Sequence, residues 1–208
     1  MHQQQTIGLL GGTFNPIHCG HLRAAIEVRE ICGLAEVIMI PAAVPPHKES
    51  RGLASAGHRL AMTAAAVRDI PGVTYSDVEL ERLGTSYTID TWRYFKAQLT
   101  GSVGLKLILG REVFLEIHTW HRFEELLDEA EFIVTNRPFK AFDRDADLLD
   151  RYLETTLRDF KLKLETVNVP ELSISSSEVR AKIEAGHSIQ FLVPQDIANY
   201  IHEKGLYQ

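Results

Sequence analysis

The chain has 208 residues, 45% hydrophobic and 24% charged, which suits one domain with a sizeable core and excludes disorder as its main state. A formal net charge of −6 excludes the broad cationic surface that sequence-independent nucleic-acid binding needs, so no nucleic-acid partner is expected. No apolar run approaches the ~20 residues that cross a bilayer, and no charged and apolar leader opens the sequence, so no membrane partner is expected and the location is read as cytoplasmic.

Residues 6–12, Thr-Ile-Gly-Leu-Leu-Gly-Gly, are a short apolar run closed by two glycines and predict a buried strand ending in a tight turn. A helix is predicted from Gly20 to Ile31, with Gly33 where its C-terminal cap belongs. The pattern then repeats: strand Val37 to Ile40, a proline-rich loop through Pro45 and Pro46, helix Ala56 to Arg68, strand Val73 to Tyr75, helix Thr88 to Leu99 and strand Leu105 to Leu109. A helical stretch around Phe123 to Leu127 precedes a strand from Phe132 to Thr135. Between Phe139 and Lys163 the chain is charge-dense, yet Leu149, Tyr152, Leu153, Leu157 and Phe160 make a stripe at helical spacing, the mark of an amphipathic helix with one solvated face. A further strand is expected from Leu164 to Val169, and a last helix from Pro194 to Lys204 with proline in its first turn.

Strands alternating with helices predict an α/β fold, a Rossmann-like doubly wound and mainly parallel sheet with helices on both faces. The whole of 1–208 is read as one domain, with a C-terminal helical part from about 171 packed on it. Ligands of such sheets bind beyond the carboxyl ends of the strands, where strand order reverses. Cys19 and Cys32 lack the number and spacing for a disulfide framework or a zinc site.

The segment between the first strand and the first helix is Gly11-Gly12-Thr13-Phe14-Asn15-Pro16-Ile17-His18-Cys19-Gly20-His21. Glycines let the backbone approach a phosphate closely, and the N–H groups that open a helix, with the positive end of its dipole, favour an anion. His18 and His21, three residues apart at that helix start, can both donate hydrogen bonds to phosphate oxygens and stabilise charge on a transferred phosphoryl group. An isolated histidine pair would more simply be a turn residue and a helix cap; the glycines before it and the helix after it favour the chemical reading. The spacing is neither Gly-x-Gly-x-x-Gly nor a P-loop.

A second stretch, Ile174-Ser175-Ser176-Ser177-Glu178-Val179-Arg180, places hydroxyls and backbone N–H groups at another helix start, with a cation one turn on that can clamp phosphates. Alone, it would be a capping box.

Together the two stretches resemble the His-x-Gly-His and Ile-Ser-Ser-Thr-x-x-Arg signatures of the nucleotidyltransferase superfamily, with Ser177 where threonine is usual. Three further segments are similar to bacterial nicotinate-nucleotide adenylyltransferases. Val44-Pro45-Pro46-His47-Lys48 resembles a loop whose lysine meets phosphate, Ser86 to Thr91 resembles a run beside the nicotinate site, and Arg137-Pro138 resembles a phosphate-binding pair. Trp120-His121 is similar to a Trp-Tyr pair in which the indole stacks on the pyridine ring and nearby backbone N–H groups hold its carboxylate. The matches run from about residue 7 to residue 180. The chain departs from the pattern at Gly110-Arg111-Glu112, where Gly-x-Asp is usual, at His121 in place of tyrosine, and at Phe139 where glycine is frequent.

The resemblance implies adenylyl transfer from ATP to nicotinic acid mononucleotide, giving nicotinic acid adenine dinucleotide and pyrophosphate in NAD biosynthesis. It implies catalytic roles for His18, His21, Lys48 and Arg180. ATP would meet Gly11, Gly12, Thr13, Phe14, His18, His21, Arg137, Ser175, Ser176 and Arg180, and the mononucleotide Asn15, Lys48, Tyr87, Thr88, Gly110, Glu112, Trp120 and His121. No carboxylate cluster is evident to hold a metal, so Mg²⁺ is expected to arrive with ATP. A homo-oligomer is compatible with the sequence. The rival readings are a related adenylyl- or cytidylyltransferase with another phosphate acceptor, such as the phosphopantetheine or glycerol-3-phosphate enzymes, and a non-catalytic nucleotide-binding sensor on the same fold.

Overall fold

A computed structural model describes residues 5–44, 52–82, 84–100, 103–136, 148–170 and 172–208. The first apolar run is strand β1 (Thr6–Gly12), followed by helix α1 (Cys19–Ile31), which ends where Gly33 takes a φ of +60°. Then come β2 (Glu36–Pro41), α2 (Ala56–Val67), β3 (Val73–Tyr75), α3 (Val78–Glu81), α4 (Thr88–Gln98), β4 (Gly104–Gly110) and α5 (Arg111–Phe114). After a 3₁₀ turn at Ile117–Thr119 follow α6 (Phe123–Glu129), β5 (Glu131–Asn136), α7 (Leu148–Thr155), β6 (Lys163–Asn168), α8 (Ser176–Glu184) and α9 (Gln195–Glu203). Among the described residues no helix is long and apolar enough to cross a membrane.

Every strand pairing is parallel, in the order β3-β2-β1-β4-β5-β6. Alternation along the strands sorts the core into two layers. Val37, Met39, Ile108 and Ile133 meet Leu22, Ala25 and Val28 of α1, Met62 and Ala66 of α2, Val179 of α8 and Ile197 of α9. Leu105, Leu107, Leu109, Phe132 and Val134 meet Ile89 and Trp92 of α4, Phe114 of α5, Leu126 of α6 and Leu149 of α7 on the other face. The predicted doubly wound class is therefore the observed one.

Two differences from the sequence reading have local causes. Helices α3 and α5 have only four residues each, too short for an apolar period to register. The stripe expected as one helix stops at Thr155, because the N–H groups of Thr156 and Leu157 both donate to the Tyr152 carbonyl and turn the chain. Leu157 and Phe160 reach the same apolar cluster from that turn.

Candidate active site

The two central strands part company at their carboxyl ends. β1 pairs with β4 only from Thr6↔Gly104 to Leu9↔Leu107, yet it follows β2 out to Gly12↔Pro41 while β4 follows β5 out to Gly110↔Thr135. A crevice thus opens between Leu10–Gly12 and Ile108–Gly110, at the place where strand order reverses. The glycine loop leaves β1 on one side of it, and Gly110-Arg111-Glu112 leaves β4 on the other.

His18 is the N-cap of α1, 4% exposed, and its Nδ1 accepts from the His21 N–H at 3.3 Å. The reciprocal bond runs from the His18 N–H to His21 Nδ1, also 3.3 Å, and the rings stack with centroids 3.6 Å apart. A pair of imidazoles therefore builds the capping box that serine and glutamate usually build. With Nδ1 accepting in each ring, the ring N–H is carried on Nε2. The helix cap and the predicted phosphate-donor pair are the same two residues. Not every N–H at this helix start is available to an anion: Cys19 donates to the Leu192 carbonyl at 2.8 Å, and His21 to His18.

Side chains from distant parts of the chain hold the loop between β1 and α1. Arg180 Nη1 donates to the Asn15 carbonyl at 2.8 Å, and Ser176 Oγ to the Pro16 carbonyl at 2.9 Å. Ser175 caps α8 by accepting from the Glu178 N–H, and Ser177 Oγ accepts from Arg180 Nη2 at 3.3 Å. The Asn15 amide donates to the Gly52 carbonyl and accepts from the Ala54 N–H and the Tyr207 hydroxyl. The Asn15–Pro16 peptide is cis, and Phe14, at φ +47°, turns its buried ring edge-on to His21, with centroids 5.0 Å apart.

Across the crevice Tyr87, at the start of α4, stacks on His121 with centroids 4.1 Å apart, so these two residues meet although 34 positions separate them. Thr88 opens α4; Trp120 follows the 3₁₀ turn, half-buried against the second core cluster. Gly110 caps α5, and the Glu112 carboxylate lies over it, 3.5 Å from where a Cβ would stand. Lys48 and Arg137, with the rest of the Pro-Pro-His-Lys loop and the Arg-Pro pair, lie outside the described residues. Among the described residues no three His, Cys, Asp or Glu side chains form a group that could hold a metal ion.

The sequence reading missed a polar group beneath the site. Arg59 is fully buried, and its guanidinium donates to the carbonyls of Thr13 at 2.8 Å, Ala43 at 2.9 Å and Ala54 at 3.1 Å. It therefore ties together the exits of β1 and β2 and the entry to α2. Burial lowers its pKa, opposed by the nearby Tyr207 and Glu79. Glu79 is buried too: burial raises its pKa, while hydrogen bonds from Thr91 and Ser86 and the Arg82 and Arg59 charges oppose the rise. Ser86 Oγ accepts from the Ala43 N–H at 2.9 Å, joining the start of α4 to the end of β2. The signal that could have found Arg59 is its place at 59, 62, 63, 66, the buried stripe of α2, where a charge requires partners.

The glycine pair divides its work. A Cβ built on Gly12 would stand 2.6 Å from the Phe14 ring, whereas one on Gly11 would meet nothing within 4 Å. Gly11→Ala is thus expected to leave the unfolding midpoint unchanged but to weaken ATP binding about tenfold if a phosphate approaches that backbone. Gly12→Ala is expected to lower stability by about 1–3 kcal/mol. Calorimetric titration with ATP and a melting curve for each variant check both; an unaltered ATP affinity in Gly11→Ala would place the phosphates elsewhere.

Residues 9–182 match the model of the cytidylyltransferase-like family. A protein of Trichlorobacter lovleyi, described as a "probable nicotinate-nucleotide adenylyltransferase", is 40% identical over 97% of this chain and 99% of its own. One of Pseudomonas aeruginosa with the same description is 37% identical over 97% of each. Among solved structures, Plasmodium falciparum nicotinic acid mononucleotide adenylyltransferase complexed with NaAD superposes with a TM-score of 0.77 at 23% identity, covering 98% of both chains, a likeness of fold.

Proposed function

Because the chain belongs to the cytidylyltransferase-like family and, by its full-length relatives, to the nicotinate-nucleotide adenylyltransferases, we propose that it transfers the AMP part of ATP to nicotinic acid mononucleotide. The products are nicotinic acid adenine dinucleotide and pyrophosphate, a step of NAD biosynthesis carried out in the cytoplasm.

The observation that carries this reading is the meeting of both signature motifs on one loop. Ser176 and Arg180, 160 and 165 positions away in sequence, hold the Pro16 and Asn15 carbonyls two or three residues before His18. An oxygen of the mononucleotide 5′-phosphate attacks the α-phosphorus of ATP in line, a new P–O bond forms, and the bond to the oxygen bridging the α- and β-phosphorus breaks as pyrophosphate leaves. The Nε2–H groups of His18 and His21 donate to the oxygens on which charge accumulates, and Arg180, with Lys48 and Arg137, holds phosphates. Mg²⁺ arriving bound to ATP would supply charge neutralisation at the phosphates. The Tyr87–His121 stack and Trp120 offer aromatic faces of the kind a pyridine ring takes.

Pyrophosphate release from ATP and Mg²⁺ is to be measured with nicotinic acid mononucleotide, nicotinamide mononucleotide and phosphopantetheine in parallel. Turnover at least tenfold faster with the nicotinic acid compound is the expected result. Faster turnover with another acceptor would overturn the substrate, and none with any acceptor would leave a nucleotide-binding protein.

A further inference from the structure

We propose that Tyr207 is a positioning residue for adenylyl transfer, acting through Asn15 on Arg180. Helix α9 ends at Glu203, Gly205 follows with a φ of +59°, and the two residues after it turn back onto the first core cluster. That turn brings the Tyr207 hydroxyl to 2.7 Å from Asn15 Oδ1, which also accepts from the Ala54 N–H at 3.0 Å, while Asn15 Nδ2 donates to the Gly52 carbonyl at 2.9 Å. An amide held by three partners cannot turn, and its own backbone carbonyl is the acceptor for Arg180 Nη1 at 2.8 Å. Arg180 Nη2 in turn donates to Ser177 Oγ, so the guanidinium is fixed in plane and direction before a triphosphate reaches it. The phenol is half-buried near the guanidinium groups of Arg180 and Arg59; burial raises its pKa, and the two charges oppose the rise. A hydroxyl that neither motif contains therefore sets the aim of the cation that one motif supplies.

The inference rests on the adenylyl-transfer reading, and the two fail differently. Tyr207→Phe, Arg180→Ala and the double variant are assayed for pyrophosphate release well below their melting midpoints. Tyr200→Phe is the control, since it removes a hydroxyl of helix α9 that bonds His58 at 2.9 Å rather than Asn15. Tyr207→Phe is expected to lower kcat/KM for ATP about fivefold, the size of one neutral hydrogen bond. In the Arg180→Ala background the same change is expected to have less than a twofold effect, because the path runs through the missing guanidinium. Tyr200→Phe should leave the rate unchanged. An unaltered rate in Tyr207→Phe, an undiminished fivefold loss in the Arg180→Ala background, or an equal loss in Tyr200→Phe would each overturn the inference while the wild type stays active. A wild type inactive with every acceptor overturns the functional reading and the inference with it.

Discussion

His18→Ala is expected to slow pyrophosphate release about a thousandfold while lowering the unfolding free energy by only about 1 kcal/mol. The two numbers differ because the imidazole does two jobs with two nitrogens. Nδ1 accepts the His21 N–H and closes the cap of α1, a contribution any good N-cap can replace. In the proposed reaction Nε2–H would donate to charge that exists only during transfer, and alanine offers no donor at that position. His18→Ser separates the jobs: its hydroxyl accepts from the N–H three residues on, so the melting midpoint should return toward that of the wild type while the rate stays low. Rate assays and urea denaturation of both variants decide the matter. Recovery of rate along with stability in His18→Ser would make the imidazole a cap and nothing more.

Arg59→Met is expected to lower stability by about 4 kcal/mol, read as a shift of the urea midpoint at constant m-value. Three buried carbonyls, of Thr13, Ala43 and Ala54, lose a charged donor at once, and methionine fills the volume without satisfying any of them. Arg59→Lys should recover less than half of the loss, since an ammonium lacks the planar fork that reaches three acceptors. A shift below 1 kcal/mol in Arg59→Met would show that the carbonyls find other donors. The reaction should suffer beyond the stability loss, because the Thr13 carbonyl lies in the loop that leads to His18.

How much of this was legible in sequence follows from what each residue binds. β1, β2 and β5 could be read because short apolar runs in a parallel sheet are covered on both faces, so hydrophobicity alone marks them. The loop from Gly11 to His21 and the run from Ser175 to Arg180 were legible because fixed spacing at a helix start carries a chemical meaning. Their convergence through Asn15 and Pro16 was not, because the contacts end on backbone carbonyls, which every residue possesses. Tyr207 left no trace for the same kind of reason: its partner, Asn15, is named by the fold and not by any periodicity. The double use of His18 and His21 was half legible. Their proximity could be read from the spacing, whereas the stacked rings and crossed Nδ1 bonds are matters of side-chain rotation.

The early end of pairing between β1 and β4 divides the labour of the enzyme along a seam. The histidines follow one strand, and Gly110, Glu112, Trp120 and His121 follow the other, so the proposed reaction would have bond-making chemistry and acceptor choice on separate banks. A substitution on the β4 bank, at Glu112 or His121, would then leave the β1 loop that leads to His18 undisturbed. A split sheet of this kind is a modular tool: one bank kept, the other refitted, and the same reaction delivered to a new acceptor.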